Sequence, residues 1–268
     1  LLSDGKFHSN VELARLLYVH PKHTSNALYD AERYGAIIQK IDGDEYRWIN
    51  PINWIDANEI LSYRNRIQRV FHFIVLNSVA STNNFLLEQF ARGKVFPSKN
   101  IVVVAEVQTN GYGRLHRPWY SGLGDSLTFS LLWRFDCAAK QLSGLSLVIG
   151  VAIVRALNYF GVEGLTLKWP NDILFCFHKL AGILIELSND IRLGSVVVIG
   201  IGLNVQLSSL TKKNIDQSFV DLFAITGKVI NRSKLLAVLL TELASVLNDF
   251  NHFGFNYFRN EWISYHAY

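Results

Sequence analysis

The 268 residues, half of them apolar, exceed one typical domain and suffice for the core of one large or two unequal domains. The two cysteines, Cys137 and Cys176, lie far apart with no Cys or His at ligand spacing, which excludes a disulfide framework and a zinc site and fits a reducing, cytoplasmic setting. Charge divides unevenly: six Lys/Arg against nine Asp/Glu up to Ser62 give −3, and twenty against thirteen from Tyr63 onward give +7, so a basic partner surface belongs to the second part.

The first residues, Leu1 to Lys6, have neither a basic nor a long apolar region, so no export signal is read there. Methionine is absent even at position 1, as in a chain whose ends are missing. Ser9-Asn10 caps a helix that carries Val11, Leu13, Leu16 and Leu17 at helical spacing, and a second helix runs from Pro21 to the Tyr34-Gly35 stop, with Leu28 inward. Ile37-Ile38, Asp42-Gly43-Asp44 and residues 46–49 read as strand, turn, strand. Two helices and a hairpin make the pattern of a winged helix-turn-helix. The polar stretch 50–58, with Pro51, reads as a linker and places a boundary near Ser62, giving domains 1–62 and 63–268.

Beyond it, residues 71–76 form a strand, Ser81-Thr82-Asn83 caps a helix to Arg92-Gly93, and 101–107 and 127–135 form strands. An apolar helix covers 142–159; its charge-free part is too short to span a bilayer, so no membrane partner is expected. Strands at 165–169, 173–177, 180–187 and 195–205 follow with short turns, which implies antiparallel neighbours. Ser233 caps a last long helix to Phe250, with a short one after Gly254. The fold class is α+β: the helix-turn-helix unit, then a domain on one mixed sheet.

Three clusters carry chemistry. In Gln108-Thr109-Asn110-Gly111-Tyr112-Gly113-Arg114-Leu115-His116-Arg117-Pro118-Trp119, alternate glycines admit close backbone approach and the arginines suit phosphate or carboxylate; an ordinary hairpin turn is the competing reading. Lys168-Trp169-Pro170-Asn171-Asp172 ends a strand, and Lys179-Leu180-Ala181-Gly182-Ile183-Leu184 opens the next but one. Paired strands there set Asp172 and Lys179 at one end of a hairpin, either as an anion site or as a surface salt bridge. In Gly200-Ile201-Gly202-Leu203-Asn204-Val205, two glycines interrupt a β-branched strand, as where something lies against its face; no dinucleotide fingerprint is present.

In this order, Ser81-Thr82-Asn83 and these motifs resemble those of biotin-protein ligases, and the winged helix is similar to the bifunctional members that also repress biotin-synthesis operons. The resemblance covers essentially the whole chain. It implies a class II synthetase-like catalytic sheet; the small SH3-like C-terminal domain usual in the family has no counterpart among the 268 residues. It implies that Ser81, Thr82, Gln108, Gly111 and Gly182 border biotin. By the same resemblance Arg114, Arg117 and Lys179 handle carboxylate and phosphate, Trp119 packs in the ligand loop, Asn171 and Asn204 face adenine, and Phe219 stacks on it. The family loop commonly has an arginine at the position of Tyr112 and a glycine at that of His116.

The reaction so implied takes biotin and ATP, with Mg²⁺ offsetting phosphate charge, to biotinyl-5'-adenylate, which then acylates a lysine of a biotin carboxyl carrier protein. Asp172 is the candidate to orient or deprotonate that amine, with Lys179 and Arg114 as the other catalytic residues. No protein-held metal is expected. Operator DNA and a second copy of the chain are further partners: Lys22, His23, Thr24, Ser25 and Asn26 open the second helix, where base-reading side chains belong, although the turn Asp42-Gly43-Asp44-Glu45 places carboxylates where phosphate would lie. Two alternatives stand, a biotin-sensing DNA-binding regulator without ligase activity and a lipoate-protein ligase.

Overall fold

Two sheets organise the computed structural model, which describes residues 1–41, 44–49, 52–63, 70–94, 100–187 and 195–268. In the N-terminal segment, the Ser9 hydroxyl accepts from the Glu12 amide and so caps α1 (Asn10–Leu17), and Pro21 opens α2 (Pro21–Arg33). Strands β2 (Ile38–Ile41) and β3 (Glu45–Trp48) pair antiparallel, and β1 (His8–Ser9) adds to the other edge of β3. Helix, helix and hairpin appear in the expected order, with one short strand more than anticipated. Asp42 and Gly43 of the expected turn lie outside the described residues, while Asp44 pairs with Lys40 at 2.7 Å.

The segment read as a linker ends in a helix, α3 (Ala57–Tyr63), whose Ile60 is fully buried. Residues 52–56 are irregular but fixed. The Ile55 amide donates to Glu106 (2.6 Å), Arg232 donates to the Asn53 carbonyl (3.0 Å), and the same guanidinium meets Glu106 at 2.6 Å with both side chains almost wholly buried.

The larger sheet has seven strands: β4 (Phe71–Val79), β5 (Asn100–Gln108), β6 (Ser126–Phe135), β7 (Leu165–Lys168), β8 (Asp172–Phe175), β9 (His178–Leu187) and β10 (Ser195–Asn204). Their order is β4-β5-β6-β10-β9-β8-β7. Of these strands β4 and β5 run parallel, with α4 (Thr82–Ala91) between them in sequence; the other neighbours pair antiparallel, through short connections from β7 to β10. On β5, Val102 and Val104 join the main core with α5 (Leu145–Asn158) and α8 (Arg232–Phe253), whereas Ile101 and Val103 meet Leu86 of α4 on the opposite face. Burial on both faces explains why that strand reads as a continuous β-branched run.

Three sequence expectations shift. The helix expected over 142–159 is split by Gly144, at φ 86°, so that α5 begins at Leu145 after a 3-10 turn at Ala139–Leu142. Helix α8 is capped by Asn231, whose side chain accepts from the Lys234 amide; the Ser233 hydroxyl instead accepts from the Asp56 amide. Two short helices, α6 (Ser209–Asn214) and α7 (Leu222–Thr226), are capped by Ser208 and Asp221 and were not anticipated. Helix α9 (Phe255–Ser264) follows Gly254 as expected, and the chain then returns along β7 through Leu167 N to Tyr265 O (2.7 Å) and Ala267 N to Leu167 O (3.1 Å).

Candidate active site

A cavity of about 290 Å³ opens between the N-terminus of α4, the ligand loop 108–119 and the ends of β8, β9 and β10. Its inner end is polar. The Thr82 amide and hydroxyl both donate to Gln108 Oε1 (2.8 and 3.1 Å), and buried Ser130 shares its one hydroxyl proton between Thr82 Oγ1 (2.6 Å) and Asn83 Oδ1 (2.5 Å). Asn83 in turn donates to Glu186 (2.7 Å), and a Cβ at Gly200 would fall 2.3 Å from Asn83 Oδ1. These groups reach one spot because Ser81 caps α4 above the β5–β6–β10 floor.

The ligand loop is a narrow hairpin. Trp119 N donates to Gly111 O and Gly113 N to Arg117 O, both at 2.8 Å. At its tip Leu115 and His116 adopt φ of 57° and 55°, a left-handed conformation that side-chain-bearing residues resist. Arg114 and Arg117 are exposed there, and Arg114 Nη1 donates to Asn171 Oδ1 at 3.4 Å. Tyr112 leaves the hairpin toward the sheet, where its phenol donates to Asn84 Oδ1 (2.6 Å) and faces both Glu186 oxygens at 3.2 Å. Burial, and next the Glu186 charge, push that phenol up to about 12.

At the outer end Lys179 Nζ lies 3.0 Å from Asp172 Oδ1, with both side chains largely buried. The pair is therefore part of the cavity wall rather than a solvated surface bridge. Register explains the meeting: Asp172 stands opposite Gly182, and a β-bulge after Ile173 sets Leu174 against Lys179. Asn171, after the cis Trp169–Pro170 peptide, donates to the Ile183 carbonyl (2.9 Å). Trp119 lies flat over two strand glycines: a Cβ at Gly182 would come 3.3 Å, and one at Gly202 2.4 Å, from its ring, and Lys179 stands 5.7 Å from the ring centroid. The indole N–H is buried without a hydrogen-bond partner among the described residues.

Behind Trp119 and Lys179 a second hollow of about 30 Å³ is lined by Asn204 and Phe219. Asn204 donates to the Val220 and Lys179 carbonyls (3.0 and 3.3 Å), so its amide is engaged by backbone. Phe219 is half-buried beside β9. Ser81, Thr82, Gln108, Arg114, Arg117, Trp119, Asn171, Asp172, Lys179 and Gly182 thus border one cavity, Asn204 and Phe219 border its neighbour, and Gly111 lies behind the hairpin against Gln108. Sequence reasoning missed Asn83, Asn84 and Glu186. For the two asparagines the only signal was their place in the first turn of a capped helix; Glu186, an acid late in an apolar strand, was visible but had no evident partner.

In α2, Lys22, His23 and Asn26 are exposed, while Thr24 is buried and bonded to Asn10, and Asn10 donates to Ser25 (2.9 Å). Among the described residues no helix is long and apolar enough to cross a membrane.

Residues 75–204, which hold nearly all of these groups, match the Biotin/lipoate A/B protein ligase family. The chain is 30% identical over 262 residues, 98% of its length and 79% of the relative's, to the bifunctional ligase/repressor BirA of Salmonella typhimurium. It is 32% identical over 173 residues, 63% of its length and 61% of the relative's, to the biotin–[acetyl-CoA-carboxylase] ligase of Mycobacterium tuberculosis. The biotin protein ligase from Aquifex aeolicus, solved in complex with biotin and ATP, superposes with a TM-score of 0.63 at 32% identity, covering 74% of this chain and 79% of that one. Likeness on this scale, over nearly the whole chain, places it in the biotin-protein ligase family, as an ATP-dependent biotin ligase.

Proposed function

We propose that the chain forms biotinyl-5'-adenylate from biotin and ATP and passes the biotinyl group to a lysine of a carboxyl carrier protein. The supporting observation is the polarity of the cavity: a neutral hydrogen-bonding end at Thr82 and Gln108, and a cationic end at Lys179, Arg114 and Arg117. A ligand with a neutral polar head and a carboxylate tail fits that order. The cations stabilise the negative charge that gathers as the biotin carboxylate attacks the α-phosphate and pyrophosphate departs. Asp172, held by Lys179, then orients or deprotonates the incoming amine, which is otherwise protonated at neutral pH. Asn171, Asn204 and Phe219 serve the adenine side, with Trp119 as the wall between. Among the described residues no group of three His, Cys, Asp or Glu could hold a metal ion, so Mg²⁺ would enter on the ATP phosphates and offset their charge. Incubation of an acceptor fragment with ATP and either biotin or lipoate should add one biotinyl mass in the first case and nothing in the second; lipoyl transfer in its place would support the lipoate alternative.

Arg114, the loop cation bonded to Asn171, holds the adenylate until the acceptor arrives. Arg114→Gly is expected to raise adenylate release about tenfold, the loss of one hydrogen bond to a charged group. The readout is biotinylation of a bystander such as albumin, and labelling no higher than wild type would count against the role.

Residues 1–62 are proposed to be a winged helix-turn-helix with a repressor role. With −3 net charge in that segment and Thr24 engaged with Asn10, the DNA contacts left are few, so binding is expected to be weak without ligand and strengthened by biotinyl-adenylate through a dimer on two half-sites. Titration against the chain's own biotin-operon DNA at physiological salt, with and without biotin plus ATP, tests this. Nanomolar affinity without ligand would overturn it.

A further inference from the structure

Tyr112 stands where the resemblance leads one to expect an arginine, and its contacts are unlike those of a phosphate-binding cation. Its ring borders the same cavity as Arg114 and Lys179, yet its hydroxyl is engaged by the protein. The phenol reaches across to α4 and β9, meeting Asn84 Oδ1 at 2.6 Å and the Glu186 carboxylate at 3.2 Å. His116, at the tip of the hairpin, lies against the same ring, with centroids 5.4 Å apart and planes inclined by 34°. Tyr112 therefore joins the first arm and the tip of the loop to the sheet.

Asn83 donates to Glu186 (2.7 Å), the single Ser130 hydroxyl proton is shared between Asn83 Oδ1 (2.5 Å) and Thr82 Oγ1 (2.6 Å), and Thr82 donates to Gln108 (3.1 Å). Asn83, Ser130 and Thr82 are buried, so each fixes the orientation of the next at a high cost for leaving any one unpaired. The network runs from the loop latch to the polar end of the cavity. An arginine at position 112 would carry a charge that phosphate could draw away from Glu186. A neutral phenol, pushed up to about 12 by burial and next by the Glu186 charge, keeps its proton at neutral pH to share between Asn84 and Glu186.

We propose that Tyr112 is a positioning residue: through Asn84, Glu186 and Asn83 it latches the ligand loop to α4 and the sheet, and so sets how long the site retains its acyl-adenylate. The second clause rests on the ligase reading above; the first does not. The latch offsets the two left-handed residues at the loop tip, which would otherwise favour an open hairpin.

Two measurements on the full chain test it. In the ligand-free protein, hydrogen exchange at the Gly113 and Trp119 amides, which bond Arg117 and Gly111 across the hairpin, is expected to quicken about tenfold in Tyr112→Phe, which keeps the ring and removes only the hydroxyl. Glu186→Gln, which still offers Asn83 an acceptor, should give a smaller change and add nothing in the Tyr112→Phe background. Unchanged exchange in Tyr112→Phe, or additive effects of the two substitutions, would overturn the latch. Release of pre-formed biotinyl-adenylate should rise by the same factor, by more than kcat under saturating acceptor falls; release at the wild-type rate would overturn the retention clause. A wild-type protein that forms no adenylate would overturn the ligase reading and that clause together, and the exchange data would then decide the latch by themselves.

Discussion

Lys179→Ala is expected to slow adenylate formation by about 100- to 1000-fold, the scale for removing one preorganised donor from a developing oxyanion. Nζ lies 3.0 Å from Asp172 and beside the Trp119 ring, in the wall between the two hollows. In the proposed function this is the junction between the biotin carboxylate in the larger cavity and a nucleotide reaching the smaller one. Biotin affinity should fall far less, because the proposed function assigns the neutral head to the end of the cavity at Thr82 and Gln108, away from Lys179. Pyrophosphate release gives the first quantity and biotin titration the second. A variant that releases pyrophosphate at the wild-type rate would refute the role, and equal losses in both would assign Lys179 to binding alone.

The largest effect on stability is expected at Arg232. Its guanidinium and Glu106 are both almost wholly buried, and it also donates to the Asn53 and Ser126 carbonyls. Removing one partner of such a pair leaves a charge in the interior, so Arg232→Ala should cost about 3–5 kcal/mol. For a chain of this size that lowers Tm by about 6–20 °C. Combining Glu106→Gln with Arg232→Met leaves an acceptor for the Ile55 amide and no unpaired charge, so it should cost less than Arg232→Ala alone. Thermal unfolding of the three proteins checks both statements, and a double variant as unstable as the single one would show that the carbonyl contacts, not the charges, dominate.

Elements that rest on local chemistry were legible in the sequence. Ser9 and Ser81 cap the helices they were expected to cap, and the strand pattern from 165 to 205 yields neighbouring antiparallel strands. Pairs set by short separations were legible too, as with Asp172 and Lys179, seven residues apart on adjacent strands. Contacts over long separations were not. Polar residues at 50–58 read as a linker because nothing local says that Glu106 and Arg232 will hold Ile55 and Asn53, or that Ile60 will be covered by α8. Ser233 looks like a cap, but its hydroxyl faces Asp56, 177 residues away in sequence, and Asn231 takes the capping place. The β10 glycines correctly signalled a body against the strand. That body is the chain's own Asn83 and Trp119, which no motif in β10 could name.

The glycine floor of the cavity constrains how such a sequence can drift. Gly200 and Gly202 sit in extended strand, where alanine is conformationally free, so what excludes a Cβ is the Asn83 amide at 2.3 Å and the Trp119 indole at 2.4 Å. Each glycine is therefore bound in inheritance to a distant large side chain: 200 to 83, and 202 to 119. Among relatives, a methyl group at position 200 or 202 becomes admissible only after its partner has shrunk. The two pairs should change together along lineages, while Gly161 and Gly227, with open space around the Cβ they lack, answer to their left-handed backbone and to no partner at all.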